Sequence, residues 1–346
     1  MTRATGRSLL GITTPLATTY DVALLDLDGV VYVGADPIPT AAPALAKARA
    51  AGMRLAFVTN NASRDPAAVA AHLVALGVPA EAVEVVTSSQ AAATVLVERL
   101  GVGASVLVTG SAALRSAVEG VGLRVVATSD DRPDAVVQGY SPDLRYADLA
   151  ETALAVRAGA LWVATNTDST LPSARGLLPG NGSLVALVAV ATGRRPVVAG
   201  KPQLPMHAEG VRRTGAHNPL VVGDRLDTDI EGANVADTDS LLVLTGVTSA
   251  IDLVDAPVEH RPTYLAADLT GLVDVQPGIE GDGRSVQCGG WTASADQLAG
   301  HAAISVDGEG RAVDGLRAVL TAAWAARDTT ASSVDASAAL QRLGFA

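Results

Sequence analysis

The sequence has few cysteines and few aromatic residues. A single cysteine, Cys288, occurs among 346 residues. This excludes an intramolecular disulfide and any zinc site built on several thiolates. Aromatic residues make up 3% of the chain, whereas hydrophobic residues reach 49%. We therefore expect cores built mainly from alanine, valine and leucine, with Cys288 as a buried structural thiol compatible with a reducing cytoplasm.

Positive charge and long apolar runs are also scarce. The formal net charge is −11, which argues against non-specific binding of nucleic acid, because neutralising phosphates requires a basic surface. An anionic substrate would need positive charge that is supplied locally. No apolar stretch approaches the roughly eighteen residues of a membrane-spanning helix, and the run after Arg7 is too short for a signal peptide. We predict a cytoplasmic protein with no membrane span and no nucleic-acid partner.

The order of strand-like and helix-like segments predicts an α/β protein of two or three domains. Short apolar runs typical of buried strands alternate with helical segments over residues 22–86, and this pattern resumes after residue 195. Residues 1–20 are predicted to form a loose leader. The predicted divisions are a Rossmann-like parallel-sheet core of residues 1–86 plus 195–278, an inserted α/β module of residues 87–194, and a small α+β unit of residues 279–346.

The segment from Val22 to Tyr32 carries two acidic residues where a buried strand is predicted to end. Apolar or small residues lead to Asp26, and Asp28 and Gly29 follow. Carboxylates are costly to bury at such a position unless something neutralises them. Ligands of open α/β sheets bind at the carboxyl ends of the strands. The pair therefore predicts a small ligand site, and the alternative is a strand end with an ordinary Asp-Gly turn.

Three further polar segments follow predicted strands of the core, and together with the acidic pair they fit phosphoryl transfer. An aspartate can attack phosphorus and form an aspartyl phosphate. We assign this role of nucleophile to Asp26. A second carboxyl, Asp28, can protonate the leaving alcohol and later take a proton from water. The further segments are Thr59-Asn60-Asn61, Gly200-Lys201-Pro202 and the run from Gly223 to Asp229.

A divalent cation would screen the negative charges of the attacking carboxylate and the phosphate. Mg²⁺ prefers hard oxygen ligands and takes one or two carboxylates together with water and phosphate oxygens. The predicted ligands are the side chains of Asp26 and Asp224 and the backbone carbonyl of Asp28. Asp229 is predicted to hold a metal-bound water from the second shell. Lys201 supplies a fixed positive charge, and the Thr59 hydroxyl can donate to the phosphate.

Each of these segments has a simpler explanation when it is taken alone. Thr59 could cap a helix, Lys201 could be solvated, and Asp229 could be a helix N-cap. A Gly-Asp pair after an apolar strand is also a common turn. All four segments occur in this order, and each lies at a predicted strand end. Independent turns and helix caps do not account for this combination.

These four segments match, in order, the four motifs of the haloacid dehalogenase-like hydrolase superfamily, which the chain resembles over about residues 20–272. The inserted module of residues 87–194 lies between Thr59 and Lys201. The resemblance identifies a module at this place as a cap domain of the C2 kind. The stretch from Ala164 to Asp168 and the Pro179-Gly180 pair resemble NagD-type (class IIA) phosphatases, and among these the actinobacterial glycerol-3-phosphate phosphatases.

The resemblance implies a Mg²⁺-dependent phosphatase of small phosphorylated metabolites, in which Mn²⁺ or Co²⁺ could substitute. Glycerol 3-phosphate is the expected substrate, and phosphoglycolate, a nucleotide or pyridoxal phosphate are alternatives. The resemblance also agrees with the roles given above to Asp26, Asp28, Asp224 and Asp229. It adds Asn60 to the phosphate-binding residues.

The cap must select the leaving group, because the core treats any phosphate alike. Candidate substrate-selecting residues in its polar segment are Asn166, Asp168 and Arg175, and the alternative is that they hold this long connection together. The unit of residues 279–346 resembles part of an acetyltransferase-like fold. It has no glycine-rich pyrophosphate loop that opens a helix, so acetyl transfer is not expected. It could instead form a homodimer, and a sensor with a dimerising unit is the non-enzymatic alternative.

Overall fold

The computed structural model describes residues 8–173, 175–298, 301–330 and 333–345. The chain forms two compact units. The first unit comprises the chain up to residue 55 and the residues from 216 onward, and the second comprises residues 56–215. Within the described ranges, none of the helices combines the length and the apolar character that crossing a bilayer requires. The core, cap and C-terminal boundaries given above stay a prediction.

The first elements of the chain include the strand that was predicted before Asp26. They are α1 (Leu16–Thr19), β1 (Val22–Leu25), β2 (Tyr32–Val33), β3 (Asp36–Pro37), α2 (Ala41–Ala50) and β4 (Arg54–Thr59). The prediction of a loose leader is wrong from residue 8 onward, because Leu9 is buried in the core and Ile12 exchanges two backbone hydrogen bonds with Gln276. Residues 1–7 lie outside the described residues.

The second unit contains a five-stranded parallel sheet, in the order β12-β9-β8-β6-β7, and a parallel pair of β4 and β5. Its elements after β4 are α3 (Pro66–Ala75), β5 (Val85–Thr87), α4 (Ser88–Leu100), β6 (Ser105–Thr109), α5 (Ala112–Gly120), β7 (Arg124–Val126), β8 (Ala135–Gln138), α6 (Tyr146–Ala158), β9 (Leu161–Ala164), β10 (Thr170–Ser173), β11 (Gly176–Pro179), α7 (Asn181–Thr192), β12 (Val197–Val198) and α8 (Leu204–Thr214). Trp162, Val136 and Val188 belong to the apolar core under the five-stranded sheet. Strands β10 and β11 form an antiparallel hairpin within the polar connection that the sequence predicts after Ala164.

The remainder of the first unit contains two sheets. Its elements are β13 (Pro219–Gly223), α9 (Glu231–Val235), β14 (Asp239–Val243), α10 (Ala250–Val254), β15 (Tyr264–Ala266), β16 (Ile279–Gly281), β17 (Ser285–Cys288), β18 (Trp291–Leu298), β19 (His301–Gly308), α11 (Ala312–Thr330), β20 (Ser333–Asp335) and α12 (Ser337–Leu343). One sheet pairs β15, β14, β13 and β1 in parallel, and the other runs β16-β17-β18-β19-β20 with mainly antiparallel pairing. The parallel sheets confirm the predicted α/β fold class.

The register of the parallel strands brings three strand ends together. Leu25 at the end of β1 pairs with Val222, and Gly223 at the end of β13 pairs with Leu242. Because parallel strands have their carboxyl ends at the same edge of a sheet, the residues after β1, β13 and β14 leave the sheet side by side.

Helix α11, which is called the C-terminal helix below although the short α12 follows it, shares the apolar core of the parallel sheet. Val319 and Trp324 of α11 pack in one buried cluster with Leu253 and Leu265. The amphipathic pattern of the sequence predicts a helix over residues 313–326, whereas α11 continues to Thr330. Near its end, Asp328 accepts both terminal N–H groups of the buried Arg261, at 2.6 and 2.8 Å. This tertiary contact stabilises the additional turn, and helical periodicity gives no sign of it.

Candidate active site

Three carboxylates of the first unit converge at the carboxyl edge of its parallel sheet. Asp26 follows β1 and donates its backbone N–H to the carbonyl of Val222 at 2.8 Å. Asp224 follows β13, and Asp229 lies in the π-helical turn Leu226–Ile230. One oxygen from each carboxylate lies within 4.8 Å of the others. Like charges this close repel one another unless a cation or a proton offsets them, and carboxylate oxygens are hard ligands of the kind that Mg²⁺ takes.

The carboxylate of Asp224 is held by backbone that approaches it closely. A Cβ at either Gly29 or Gly246 would collide with this carboxylate, and Gly29 has a left-handed φ of 81°. The N–H of Val247 donates to Asp224 Oδ2 at 2.7 Å, and the N–H of Thr248 donates to the Asp224 carbonyl at 3.3 Å. The surrounding loops therefore fix one orientation of this predicted metal ligand.

The carboxylate of Asp229 is fixed by similar means. It is buried and accepts the N–H of Arg225 at 3.2 Å. A Cβ at Gly223 would collide with the Asp229 side chain. Asp229 is not an N-cap, because the residues that precede the π-helical turn and α9 are Arg225 and Ile230.

Asp28 lies in the turn that follows β1. The strand ends at Leu25, and the carbonyl of Leu27 accepts the N–H groups of Val30 and Val31 at 3.3 and 2.9 Å. The Asp28 side chain is exposed and is not one of the three converging carboxylates. An exposed carboxyl group is accessible to solvent, as a group that exchanges protons with substrate and water requires.

In the second unit, Asn60 and Lys201 are joined by a pair of hydrogen bonds. Asn60 Oδ1 accepts the N–H of Lys201 at 2.8 Å, and Asn60 Nδ2 donates to the Lys201 carbonyl at 3.2 Å. Lys201 Nζ donates to the carbonyl of Val58 at 3.3 Å. Asn60 therefore anchors the backbone that carries the Lys201 ammonium group.

Thr59 is the last residue of β4 and is buried. Its hydroxyl oxygen accepts the N–H of Asn61 at 3.1 Å. The N-cap of α3 is Asp65, whose carboxylate accepts the N–H of Ala68 at 2.8 Å. The explanation of Thr59 as a helix cap is therefore wrong.

Two of the three predicted cap residues contact Asn60. The Asn166 side chain donates to the Asn60 carbonyl at 2.8 Å, and both Asp168 carboxylate oxygens lie 3.3 Å from Asn60 Nδ2. Asn166 Oδ1 also accepts the N–H of Asp168 at 3.2 Å. The structure thus brings Asn166 and Asp168 together with Asn60 and Lys201. Arg175 lies exposed in the turn of the β10–β11 hairpin.

Asn181 extends this set of hydrogen-bonded amides, and sequence reasoning did not select it. Its Nδ2 donates to the Asn166 carbonyl at 2.7 Å, and its side chain is buried. A Cβ at Gly180 or Gly182 would collide with the backbone of Asp168 or Thr167, respectively. The glycine on each side of a polar residue at a helix start was the available signal. We name Asn181, Asn166, Asn60 and Lys201 the amide network.

Gly246 is the other functional residue that sequence reasoning missed. It lies just after β14, in the segment Thr245-Gly246 that follows an apolar strand. The Thr245 hydroxyl donates to the Gly29 carbonyl at 2.6 Å. The strand-end argument that selected Asp26 and Asp224 applies equally to this segment.

Family models match most of the chain. A model described as haloacid dehalogenase-like hydrolase matches residues 23–124, and a second, described as HAD-hydrolase-like, matches residues 198–272. A model of a GCN5-related N-acetyltransferase like domain matches residues 288–345. The chain is thus similar to hydrolases over its larger part and to acetyltransferase-like domains over its C-terminal part.

Individual relatives include phosphatases from several bacteria. The chain is 49% identical over 320 residues to a D-glycerol 3-phosphate phosphatase of Mycobacterium tuberculosis, which covers 90% of this chain and 88% of that protein. A crystal structure of a glycerol phosphate phosphatase from the same organism, in complex with magnesium, superposes with a TM-score of 0.85 at 46% identity, covering 96% and 99% of the two chains. A 5'-nucleotidase of Bacillus subtilis, YutF, is 38% identical and covers 73% of this chain and 97% of its own length.

Proposed function

The chain belongs to the haloacid dehalogenase-like hydrolases, and we propose that it is a Mg²⁺-dependent phosphatase that hydrolyses glycerol 3-phosphate. The observation that carries the proposal is the convergence of Asp26, Asp224 and Asp229 within 4.8 Å, together with an exposed acid, Asp28, two residues after Asp26. The similarity to D-glycerol 3-phosphate phosphatase over 90% of the chain supports the choice of substrate.

In the proposed reaction, the carboxylate of Asp26 attacks phosphorus and displaces the alcohol, which takes a proton from Asp28. The resulting aspartyl phosphate is hydrolysed when water attacks phosphorus and gives a proton back to Asp28. Phosphate and the free Asp26 carboxylate are the products of this second step. A bound Mg²⁺ would supply charge stabilisation for both attacks, held by Asp26, Asp224 and the Asp28 carbonyl, with Asp229 in support.

Thr59, Asn60 and Lys201 are the proposed phosphate-binding residues. The Lys201 ammonium group supplies the local positive charge that a dianionic ester needs in a chain with a net charge of −11. The hydrogen bonds between Asn60 and the Lys201 backbone support a role in presenting that charge. Asn166, Asp168 and Arg175 are the proposed contacts for the leaving group.

The test is a comparison of phosphate esters by kcat/KM, measured with added Mg²⁺ and again with a chelator. The panel contains both enantiomers of glycerol 3-phosphate, phosphoglycolate, a nucleoside monophosphate and pyridoxal phosphate. We expect a glycerol phosphate to rank first and every rate to fall to background with the chelator. A different ester in first place would change the proposed substrate, and turnover that survives the chelator would contradict the mechanism.

A nucleotide is the second candidate substrate, because a 5'-nucleotidase is 38% identical over 254 residues. The same panel separates the two candidates.

We further propose a cytoplasmic homodimer. Light scattering coupled to size-exclusion chromatography tests the dimer, and fractionation of cells tests the compartment.

A further inference from the structure

The loop between β14 and α10 contacts the residues around the proposed metal site. The Thr245 hydroxyl donates to the Gly29 carbonyl, and the Val247 N–H donates to the Asp224 carboxylate at 2.7 Å. Gly246 lies so close to this carboxylate that a Cβ would collide with it. The position of this loop therefore determines the room and the orientation that are left to the Asp224 carboxylate.

The loop leads directly into α10, which has only five residues, Ala250–Val254. So short a helix has little stability of its own and depends on tertiary packing. Its Leu253 and Val254 are fully buried in the same apolar cluster as Val319 and Leu320 of α11. The C-terminal helix thus supplies part of the packing surface on which α10 rests.

Two side chains of α11 also bind the carbonyl end of α10. Trp324 Nε1 donates to the Leu253 carbonyl at 2.8 Å, and Arg327 donates to the Asp255 carbonyl at 3.1 Å. Arg327 is also ion-paired with the Asp255 carboxylate. The last carbonyls of a helix have no partner within the helix and need one from outside. The C-terminal helix provides that partner here.

The Trp324 indole is itself held in place. It is 2% exposed, and the Arg261 guanidinium lies 5.1 Å from the ring centroid. Arg261 is in turn bound to Asp328 of the same helix at 2.6 and 2.8 Å. The hydrogen bond from Trp324 to α10 therefore comes from a rigid donor.

We propose that Trp324 and Arg327 are positioning residues for the metal site. By fixing α10, the C-terminal helix holds the loop Thr245–Ser249 against Asp224, so the C-terminal unit takes part in metal binding without touching the metal. This inference rests on the proposed metal-dependent function. Deleting residues 279–346 would not test it, because that deletion removes most of a shared apolar core.

The test uses the full chain with Trp324→Phe, with Arg327→Ala, and with both together. Phenylalanine keeps an aromatic ring but removes the N–H donor. The matched control is Arg342→Ala, which removes an ion pair with Asp307 inside the C-terminal unit. Calorimetry with Mg²⁺ and without substrate gives the metal dissociation constant, and the melting temperature without metal gives the stability of each variant.

We expect the single variants to bind Mg²⁺ about three- to tenfold more weakly, the order of magnitude for substitutions that act through connected contacts. The double variant should be weaker than either, and Arg342→Ala should match wild type. At saturating Mg²⁺, the KM for the ester should stay unchanged in the single variants. Trp324→Phe carries the test if the double variant does not fold.

Unchanged Mg²⁺ affinity in Trp324→Phe and Arg327→Ala would overturn the proposal, even if their melting temperatures fall. Equal weakening in Arg342→Ala would also overturn it, because any loss of stability would then suffice. Since calorimetry needs no turnover, a wild-type chain that binds Mg²⁺ but hydrolyses no ester would overturn the proposed function alone. A wild-type chain that binds no Mg²⁺ would overturn both.

Discussion

The carboxylate cluster of the first unit and the amide network of the second are held by different means. Backbone encloses the Asp224 carboxylate, since neither Gly29 nor Gly246 has room for a Cβ. In the amide network, side chains hold other residues' backbone, as Asn166 does with the Asn60 carbonyl and Asn60 with Lys201. The first arrangement is steric, whereas the second is a series of separate hydrogen bonds.

This difference predicts how each region responds to substitution. Close-packed backbone cannot yield by a fraction of an ångström without moving whole loops, so one added methyl group should disturb the cluster strongly. A single hydrogen bond contributes only about 0.5–1.5 kcal/mol net. Each single substitution in the amide network should therefore have a small effect. Changes in the cluster should also alter metal binding, whereas changes in the network should alter ester binding.

The largest effect is expected from removing the proposed nucleophile. Asp26→Asn keeps the shape of the side chain but removes the charge that attacks phosphorus, so kcat should fall by at least about 10³-fold. Release of inorganic phosphate from glycerol 3-phosphate measures it. The matched control is Asp227→Asn. Asp227 is an exposed acid that is ion-paired with Arg225 and lies in the run from Gly223 to Asp229.

Wild-type turnover in Asp26→Asn would contradict both the proposed nucleophile and the role of the cluster. A comparable loss in Asp227→Asn would show that the test reports on the Asp224–Asp229 loop as a whole and not on one carboxylate.

A smaller but still large effect is expected from Gly246→Ala. The added methyl group would displace the Asp224 carboxylate, so Mg²⁺ affinity should fall by roughly 10- to 100-fold, as when groups that orient metal ligands are changed. Titration calorimetry measures the affinity. Gly120→Ala is the control, because nothing lies within 4 Å of a Cβ at that position. Unchanged affinity in Gly246→Ala would remove the steric account of the cluster.

Sequence reasoning found the carboxylate cluster because its information is local. A buried strand that ends in an acid can be seen in a short window, and the rule that ligands bind at strand ends joins Asp26 with Asp224. The alternating strands and helices gave the parallel sheets in the same way. The register of the strands then brings the acids together without any further information.

The same reasoning could not find contacts that arise only from tertiary packing. Asn181 was one polar residue among many in a turn-rich segment, and its bond to the Asn166 carbonyl depends on how α7 begins. The link from Trp324 to Leu253 joins residues 71 positions apart. Nothing in the periodicity of either helix marks these pairs. A side chain that donates to a backbone carbonyl can have any residue as its partner, so the sequence carries no signal of the contact.

The amide network should respond moderately to Asn181→Ala. This substitution removes the donor to the Asn166 carbonyl, and through Asn166 and Asn60 it should loosen Lys201. We expect the KM for glycerol 3-phosphate to rise by about five- to tenfold, equivalent to one lost hydrogen bond, with Mg²⁺ affinity unchanged. Steady-state kinetics and calorimetry give the two values.

The control for Asn181→Ala is Asn218→Ala, which removes an amide that donates to the Thr19 carbonyl in the other unit. It should leave the KM at the wild-type value. Weaker Mg²⁺ binding in Asn181→Ala would break the separation between the two regions.

The smallest effect on catalysis is expected from Glu209→Gln, which tests stability of the second unit alone. Glu209 is buried and accepts hydrogen bonds from Arg212, Arg213 and Thr94. Burial raises the pKa of this carboxyl, but the hydrogen bonds outweigh it and the pKa lies below its ordinary value of 4.5. The ionised group therefore stabilises the fold above pH 4.5, and this contribution is lost as pH falls through the lower, folded-state pKa. Glu209→Gln should cost about 2 kcal/mol at pH 7.

The melting-temperature difference between wild type and Glu209→Gln should accordingly be full at pH 7 and shrink below pH 4.5. Glu119→Gln, at an exposed position on α5, should show no such trend. A difference that stays constant with pH would contradict the assignment to the ionised carboxylate. KM and Mg²⁺ affinity should match wild type, because Glu209 joins α8 to α4 and has no bond to the amide network. If KM rose as in Asn181→Ala, the network would be reporting general loosening of the second unit and not its own hydrogen bonds.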